Sequence, residues 1–295
     1  MTLPHDERWP RAGGWPAVTD ADRELDAVVV GVPTWRTSIS PTGAHETPAA
    51  IRAALRRYSP ALVGGPIDLG TLRVADAGDI REPDGETGES SARERIAELR
   101  AQARLVIALG GDNSATVPTA RGSGATGLIT LDAHFDLRDG VSNGSPVRRL
   151  VEGGLDPGSV VQVGISDFAN SAAYARRAAE LGITVITVDE VRRRGVDEVM
   201  AEALTVARRG GGPVHLDIDV DVCDRSVAPA CPASVPGGLA AWELRALVRA
   251  AATDAALGSA DIVEVDATAD AADGRTVRLA ALCVLELLAG LGVRS

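Results

Sequence analysis

Gly127-Leu128-Ile129-Thr130-Leu131-Asp132-Ala133-His134-Phe135-Asp136 is the stretch on which the fold turns. Five residues of strand length, mostly apolar, run straight into two carboxylates and an imidazole. An apolar run of this length with no alternation suits a parallel strand covered on both faces. In open sheets of such strands, ligands bind beyond the carboxyl ends. The same grammar recurs along the chain. Strands are expected at 26–33, 72–75, 105–109, 127–132, 160–165, 184–188, 214–220 and 262–265, and helices between them at 48–58, 91–104, 171–181, 196–209, 240–253 and 276–291. Thr47-Pro48 reads as a helix start with Pro at the first position. Ser91 and Glu94 have the spacing of a capping box, and Gly182 reads as a helix stop. Residues 80–90 read as an exposed polar loop. The alternation predicts one parallel sheet with helices on both faces.

Two further acidic groups close predicted strands: Asp217-Ile218-Asp219-Val220-Asp221 and Glu264-Val265-Asp266. Alternate strand residues share a face, so Asp132, His134 and Asp136 are expected to point together, as are Asp217, Asp219 and Asp221. So many carboxylates on one side are costly unless a positive charge lies among them. Oxygen ligands with one imidazole suit Mn²⁺, Mg²⁺ or Fe²⁺ better than a thiolate zinc site. The residues therefore read as a metal-dependent hydrolase. Leu109-Gly110-Gly111-Asp112-Asn113-Ser114 closes another strand and opens a helix, its glycines permitting a tight turn.

The 295 residues carry a net charge of −11, which argues against a nucleic-acid surface. An anionic small substrate stays compatible, because local arginines outweigh the global sign. No apolar run of about 18 residues exists for a membrane span, and Met1–Pro16 has no apolar core of a signal peptide. Cys223, Cys231 and Cys283, an odd number without a CxxC pair, favour a reduced, cytoplasmic chain. Residues 1–24 read as an irregular arm and 25–295 as one domain.

The order of these motifs resembles the ureohydrolase superfamily of arginases, agmatinases and formimidoylglutamases, over nearly the whole chain. Val30-Gly31-Val32-Pro33, Gly43-Ala44 with Pro48-Ala49-Ala50-Ile51-Arg52, Gly110-Gly111-Asp112, Asp132 to Asp136, Asp219-Val220-Asp221 with Asp224, Ala228-Pro229, Gly237-Gly238-Leu239 and Glu264-Val265 carry the resemblance. It implies a three-layer α/β/α fold with an eight-stranded parallel sheet, a homotrimer or homohexamer, and two Mn²⁺ ions. By resemblance Asp132 and Asp219 bridge the metals, His134 and Asp221 complete one, and Asp136 joins the other. Asn113 stands where the family has its last histidine ligand, so that metal is expected to be held more weakly. Asn143 stands where many relatives have a histidine that moves protons or orients substrate, and an amide cannot titrate. Asp136 and Glu264 are the expected catalytic residues: Glu264 to hold an amidinium or guanidinium by its N–H groups, Asp136 to carry a proton to the leaving amine.

For the substrate tail, the loop 137–150 supplies Arg138, Arg148 and Arg149. Arginine grips carboxylates bidentately and repels a cationic tail. Arg138, Arg148, Asn143 and Glu264 are the expected substrate contacts, and N-formimidoyl-L-glutamate is the expected substrate. The alternatives are agmatine or another guanidino compound releasing urea, and a non-catalytic, metal-poor member motivated by the two asparagines.

Overall fold

The computed structural model describes residues 6–19, 24–63, 65 and 68–294. Its strands are β1 (Leu25–Val32), β2 (Val74–Asp79), β3 (Ala103–Gly110), β4 (Gly127–Leu131), β5 (Val160–Ile165), β6 (Thr184–Thr187), β7 (Val214–Asp219) and β8 (Leu257–Val263). They form one sheet in the order β2-β1-β3-β8-β7-β4-β5-β6, every neighbour parallel. The helices are α1 (Thr47–Leu55), α2 (Gly85–Gln102), α3 (Thr116–Gly122), α4 (Pro146–Glu152), α5 (Ala172–Leu181), α6 (Val188–Arg194), α7 (Val196–Ala207), α8 (Ala241–Ala252) and α9 (Arg275–Gly292). Helices α1, α7, α8 and α9 pack on one face of the sheet and α2, α3, α4 and α5 on the other. This is the expected three-layer α/β/α arrangement with an eight-stranded parallel sheet. No helix among the described residues is long and apolar enough to cross a membrane.

The face under α1, α7, α8 and α9 is uniformly apolar, with Ile107, Leu109, Ile129, Leu131, Leu216, Ile218, Ala260 and Ile262 in one cluster. The face under α3 has a polar middle: Thr130, His215, Asp217, Ser259 and Asp261 are all fully buried there. Apolar burial at about 25 cal/mol per Å² drives the first packing; the second depends on the polar groups finding one another.

Several expected boundaries move. Residues 80–90 are not a free loop. Helix α2 begins at Gly85 on an extended Asp84, so Ser91 and Glu94 lie inside the helix and form no capping box. Six small or charged residues, Gly85 to Ser90, offer no apolar periodicity to read. Strand β2 runs to Asp79 rather than covering 72–75, because Arg52 of α1 pairs with both Asp76 (2.8 Å) and Asp79 (2.5 Å). Strand β8 starts at Leu257, five residues earlier than expected; Gly258, Ser259 and Asp261 look like a loop until their buried partners are known. Loop 137–150 ends in α4, and α3 and α6 also went unforeseen. Gly182 does end α5, in the left-handed conformation at φ 80°. Of the arm, residues 1–5 and 20–23 lie outside the described residues; Ala17 bridges Asp76 at the edge of β2, and Ala12 is buried.

Candidate active site

Parallel register sets the ends of four central strands side by side. Leu131 pairs with Ile218, Ile218 with Ile262, and Ile262 with Leu109. Each strand then hands over one or more polar residues: Asp112 and Asn113 after β3, Asp132 to Asp136 after β4, Asp219 to Asp221 at β7, and Glu264 after β8.

The acidic groups converge through turns, not through strand alternation. Asp132 Oδ1 accepts the N–H of His134 (2.6 Å), and Asp219 Oδ1 accepts the N–H of Asp221 (2.9 Å) and caps a short 3-10 turn. Both are Asx-type turns. One carboxylate oxygen is spent on the local backbone and the other is left to face its neighbours. The expectation that Asp217 joins Asp219 and Asp221 fails for this reason. Once the chain turns at Asp219, Asp217 stays one strand repeat below, buried and facing Asp261. Asp136 (φ 51°) and Glu264 (φ 62°) both adopt left-handed backbone conformations. Such strain in non-glycine residues clusters at functional sites.

Donor atoms of Asp132, His134 and Asp221 lie within 4.8 Å of one another, close enough to hold one metal ion. His134 Nδ1 is 3.4 Å from Asp132 Oδ1 and 3.1 Å from Asp221 Oδ2. Burial opposes an imidazolium there, but Asp221 and Asp132 outweigh it and push His134 up to about 12. Burial, then Asp221, raises Asp132 to about 6. Burial and neighbouring acids hold Asp136 and Asp219 well above the ordinary carboxylate range. Asp132 Oδ2 is buried with no hydrogen-bond partner among the described residues. Carboxylates so crowded and so under-partnered fit a cation in their midst.

Asn113 turns its amide nitrogen, not the oxygen expected of a ligand, towards the acids: Nδ2 donates to Asp136 Oδ2 (2.7 Å) and Asp219 Oδ2 (3.2 Å). Its oxygen accepts from the Thr116 hydroxyl (2.6 Å). Carboxylates only accept, so the donor end must face them. Asn143 reaches Glu264 instead of standing free for substrate. Its Nδ2 donates to Glu264 Oε1 (2.7 Å), as does the Asn113 N–H (2.7 Å). Burial and Asp112 raise Glu264 to about 8. Both bonds use Oε1, which leaves Oε2 for a ligand.

A cavity of about 610 Å³ opens above these groups, with His134, Asp136, Asp219, Asp221 and Glu264 in its lining. Arg138 lines its wall, exposed and without an ion-pair partner among the described residues. Arg148 does not line it. Its guanidinium donates to the carbonyls of Arg138 (2.6 Å) and Gly140 and pairs with Glu152 (2.5 Å), bracing the loop from behind. As a substrate contact it is corrected by that engagement. Arg149 pairs with Glu89. Two residues of the site escaped sequence reasoning. Asn170 clamps the loop after β4, with its amide on Ala133 O (2.8 Å) and its oxygen on Phe135 N (3.0 Å). Arg177 of α5 lines the cavity. Helix α5 starts at the carboxyl end of β5, so its early turns face the site; that is the signal that could have found it.

Gly111 is needed for close approach, not for a special turn. A Cβ there would sit 1.9 Å from Thr34 O, while Gly111 O holds the N–H of Glu264 (2.9 Å). Gly111→Ala is expected to cost about 1–3 kcal/mol and to slow catalysis by shifting Glu264, read as a lower Tm together with a lower kcat. An unchanged Tm would contradict the crowding.

A model of the arginase family matches residues 25–290. The chain is 36% identical over 280 residues to a formimidoylglutamase of Halalkalibacterium halodurans, covering 90% of this chain and 88% of that one. The crystal structure of formimidoylglutamase from Bacillus subtilis superposes with a TM-score of 0.92 at 31% identity, covering 99% and 95%. That of formiminoglutamase from Trypanosoma cruzi with Mn²⁺ gives 0.84 at 25%, covering 94% and 97%. A family model spanning nearly the whole domain, over a sheet of the same architecture and a carboxylate-lined cavity at its carboxyl edge, means that the chain belongs to the arginase family and is a hydrolase of C–N bonds in linear amidines.

Proposed function

We propose that the chain hydrolyses N-formimidoyl-L-glutamate to L-glutamate and formamide, with Asp132, His134, Asp136, Asp219 and Asp221 holding two Mn²⁺ ions. The observation that carries the substrate reading is Arg138, a guanidinium without an ion-pair partner among the described residues, on the wall of a cavity whose floor is acidic. An amidinium is drawn to the floor and a carboxylate to the wall, an arrangement that disfavours the cationic tail of agmatine. The names of the formimidoylglutamases among its relatives support the same substrate. Two buried neutral amides, Asn113 and Asn143, set the acids by hydrogen bonds in place of imidazoles. Three buried free cysteines fit a reducing, cytoplasmic compartment.

When bound, the metal ions supply Lewis acidity and ease deprotonation of water near neutral pH. Glu264 Oε2 accepts from the amidinium N–H groups and fixes the plane of the reacting carbon. Its Oε1 stays anchored by Asn113 and Asn143. Water adds to that carbon, and Asp136 Oδ1 takes its proton. Asp136 then delivers the proton to the amino nitrogen as the C–N bond breaks, releasing formamide and the free amine. Asn143, lacking a titratable group, takes no part in the proton transfer.

The test offers the Mn²⁺-loaded protein formimidoylglutamate, agmatine, arginine and 4-guanidinobutyrate, and detects formamide and urea separately. Formamide from the first compound alone is expected. Urea from any guanidino compound at a comparable rate would overturn the substrate. Silence on the whole panel, with no Mn²⁺-dependent rise in Tm, would favour a non-catalytic protein.

A further inference from the structure

The cavity holds a second cation besides Arg138, and its bonding leaves one edge unused among the described residues. Arg177 Nη1 makes both of its contacts, to Leu137 O (2.6 Å) and to Asp139 Oδ1 (2.9 Å). The guanidinium carbon stands 5.5 Å from the centre of the Tyr174 ring, a second cavity-lining residue. These contacts fix the position of the fork while its Nε–Nη2 edge stays available. That edge is the one that matches a carboxylate bidentately.

We infer that Arg177 is a specificity residue that binds the distal carboxylate of the substrate. The inference rests on the substrate reading above. In N-formimidoyl-L-glutamate the α-carboxylate lies beside the reacting amidine, and the side-chain carboxylate carbon lies three carbons beyond Cα, two further out than the α-carboxyl carbon. Arg138 and Arg177 line the same cavity, and Arg177 is held at Asp139, next to Arg138 in the chain, so that two guanidiniums are available for two carboxylates; the inference gives the near one to Arg138 and the far one to Arg177. The electrostatics require a second cation. Asp136, Asp139, Asp219, Asp221 and Glu264 all line the same cavity; Asp139 engages only Nη1 of Arg177, and a dianionic tail entering with only one guanidinium would be left with an unpaired charge. A purely bracing role would not need an arginine that faces the cavity, since partly exposed ion pairs of this kind contribute little to stability.

The experiment compares N-formimidoyl-L-glutamate with its isostere N-formimidoyl-L-glutamine, which replaces only the distal carboxylate by an amide, on the Mn²⁺-loaded wild type and on Arg177→Gln and Arg177→Lys. Arg177→Gln is expected to lose about 10- to 100-fold in kcat/KM on the glutamate compound, mostly through KM, the scale of a lost charge-assisted pair. On the glutamine compound the loss should stay within about threefold, so that the wild type's preference for the dicarboxylate disappears. Arg177→Lys should restore part of the preference, keeping the charge without the fork. Equal losses on both compounds would reduce Arg177 to a brace for the loop after Asp136 and overturn the inference; no loss on either would do the same. A wild type that turns over neither compound would instead overturn the substrate reading, and this assignment with it.

Discussion

Asp219→Asn is expected to abolish turnover and the Mn²⁺-induced rise in Tm while leaving the metal-free protein as stable as the wild type, or more so. The sign follows from what surrounds the carboxylate. Burial first, then Asp221 and Asp132, holds Asp219 well above the ordinary carboxylate range in the absence of a cation. Without metal the charge is a cost that an isosteric amide removes; the amide oxygen can still accept the Asp221 N–H that caps the turn, and what is lost is the longer 3.2 Å bond from Asn113 Nδ2, which keeps its 2.7 Å bond to Asp136. With metal the same charge is the reason the ion binds. Loss of an outer-shell partner costs roughly 10- to 100-fold in metal affinity or activity, and loss of an inner carboxylate should exceed that. Thermal melts of both proteins with chelator and with excess Mn²⁺, beside a formamide assay, decide the matter. Retained turnover, or an undiminished Mn²⁺ shift, would remove Asp219 from the proposed ligand set.

The second large effect lies away from the cavity. His215→Ala is expected to destabilise the protein by about 2–5 kcal/mol, the scale for truncating a fully buried side chain and leaving the polar groups around it without a partner. His215 Nε2 is 3.3 Å from Asp261 Oδ2, both residues fully buried, and Nδ1 meets Ser259 Oγ at 2.8 Å. Ser259 continues to Ser123 Oγ of the segment after α3 (2.7 Å), tying β8 to the helix above it. The imidazole touches Asp261 without a hydrogen bond, and neither Asp261 nor the adjoining Asp217 has a carboxyl hydrogen bond among the described residues. Removing it leaves two buried acids facing each other beside a cavity. A fall in Tm on the order of 10 °C should result. Unlike the change at Asp219, it should appear equally with and without Mn²⁺, and turnover per folded molecule should hold within a few-fold because no atom of His215 lines the cavity. A Tm change below about 2 °C would mean that the pair carries little of the packing.

The contrast between these two residues marks how far the sequence could be read. On β7, His215, Asp217 and Asp219 alternate on one strand face, and the chain gives each the same credentials: an acid or imidazole beside an apolar neighbour. Only Asp219 reaches the cavity. The difference lies in where β7 ends, which depends on a turn that the Asp219 carboxylate closes on the N–H of Asp221. Similarly Arg138, Arg148 and Arg149 share a loop and a charge, but α4 carries Arg148 round to brace that loop and Arg149 to Glu89. Arg177 lay in another helix, and only the place of that helix after β5, not its own neighbours in sequence, pointed to it.

By itself the sequence determined the alternation of strands and helices, the parallel sheet and the residues that close its central strands. Those are properties of local apolar runs and of covalent order, and they survive without knowledge of any contact. It also fixed the family, because several motifs in one order constrain one another. Tertiary structure alone decided which oxygen of each carboxylate faces the cavity, that Asn113 and Asn143 donate to acids, and which arginine stands free. These depend on turns and partners from distant segments, and a hydrogen bond has direction that a residue type does not encode.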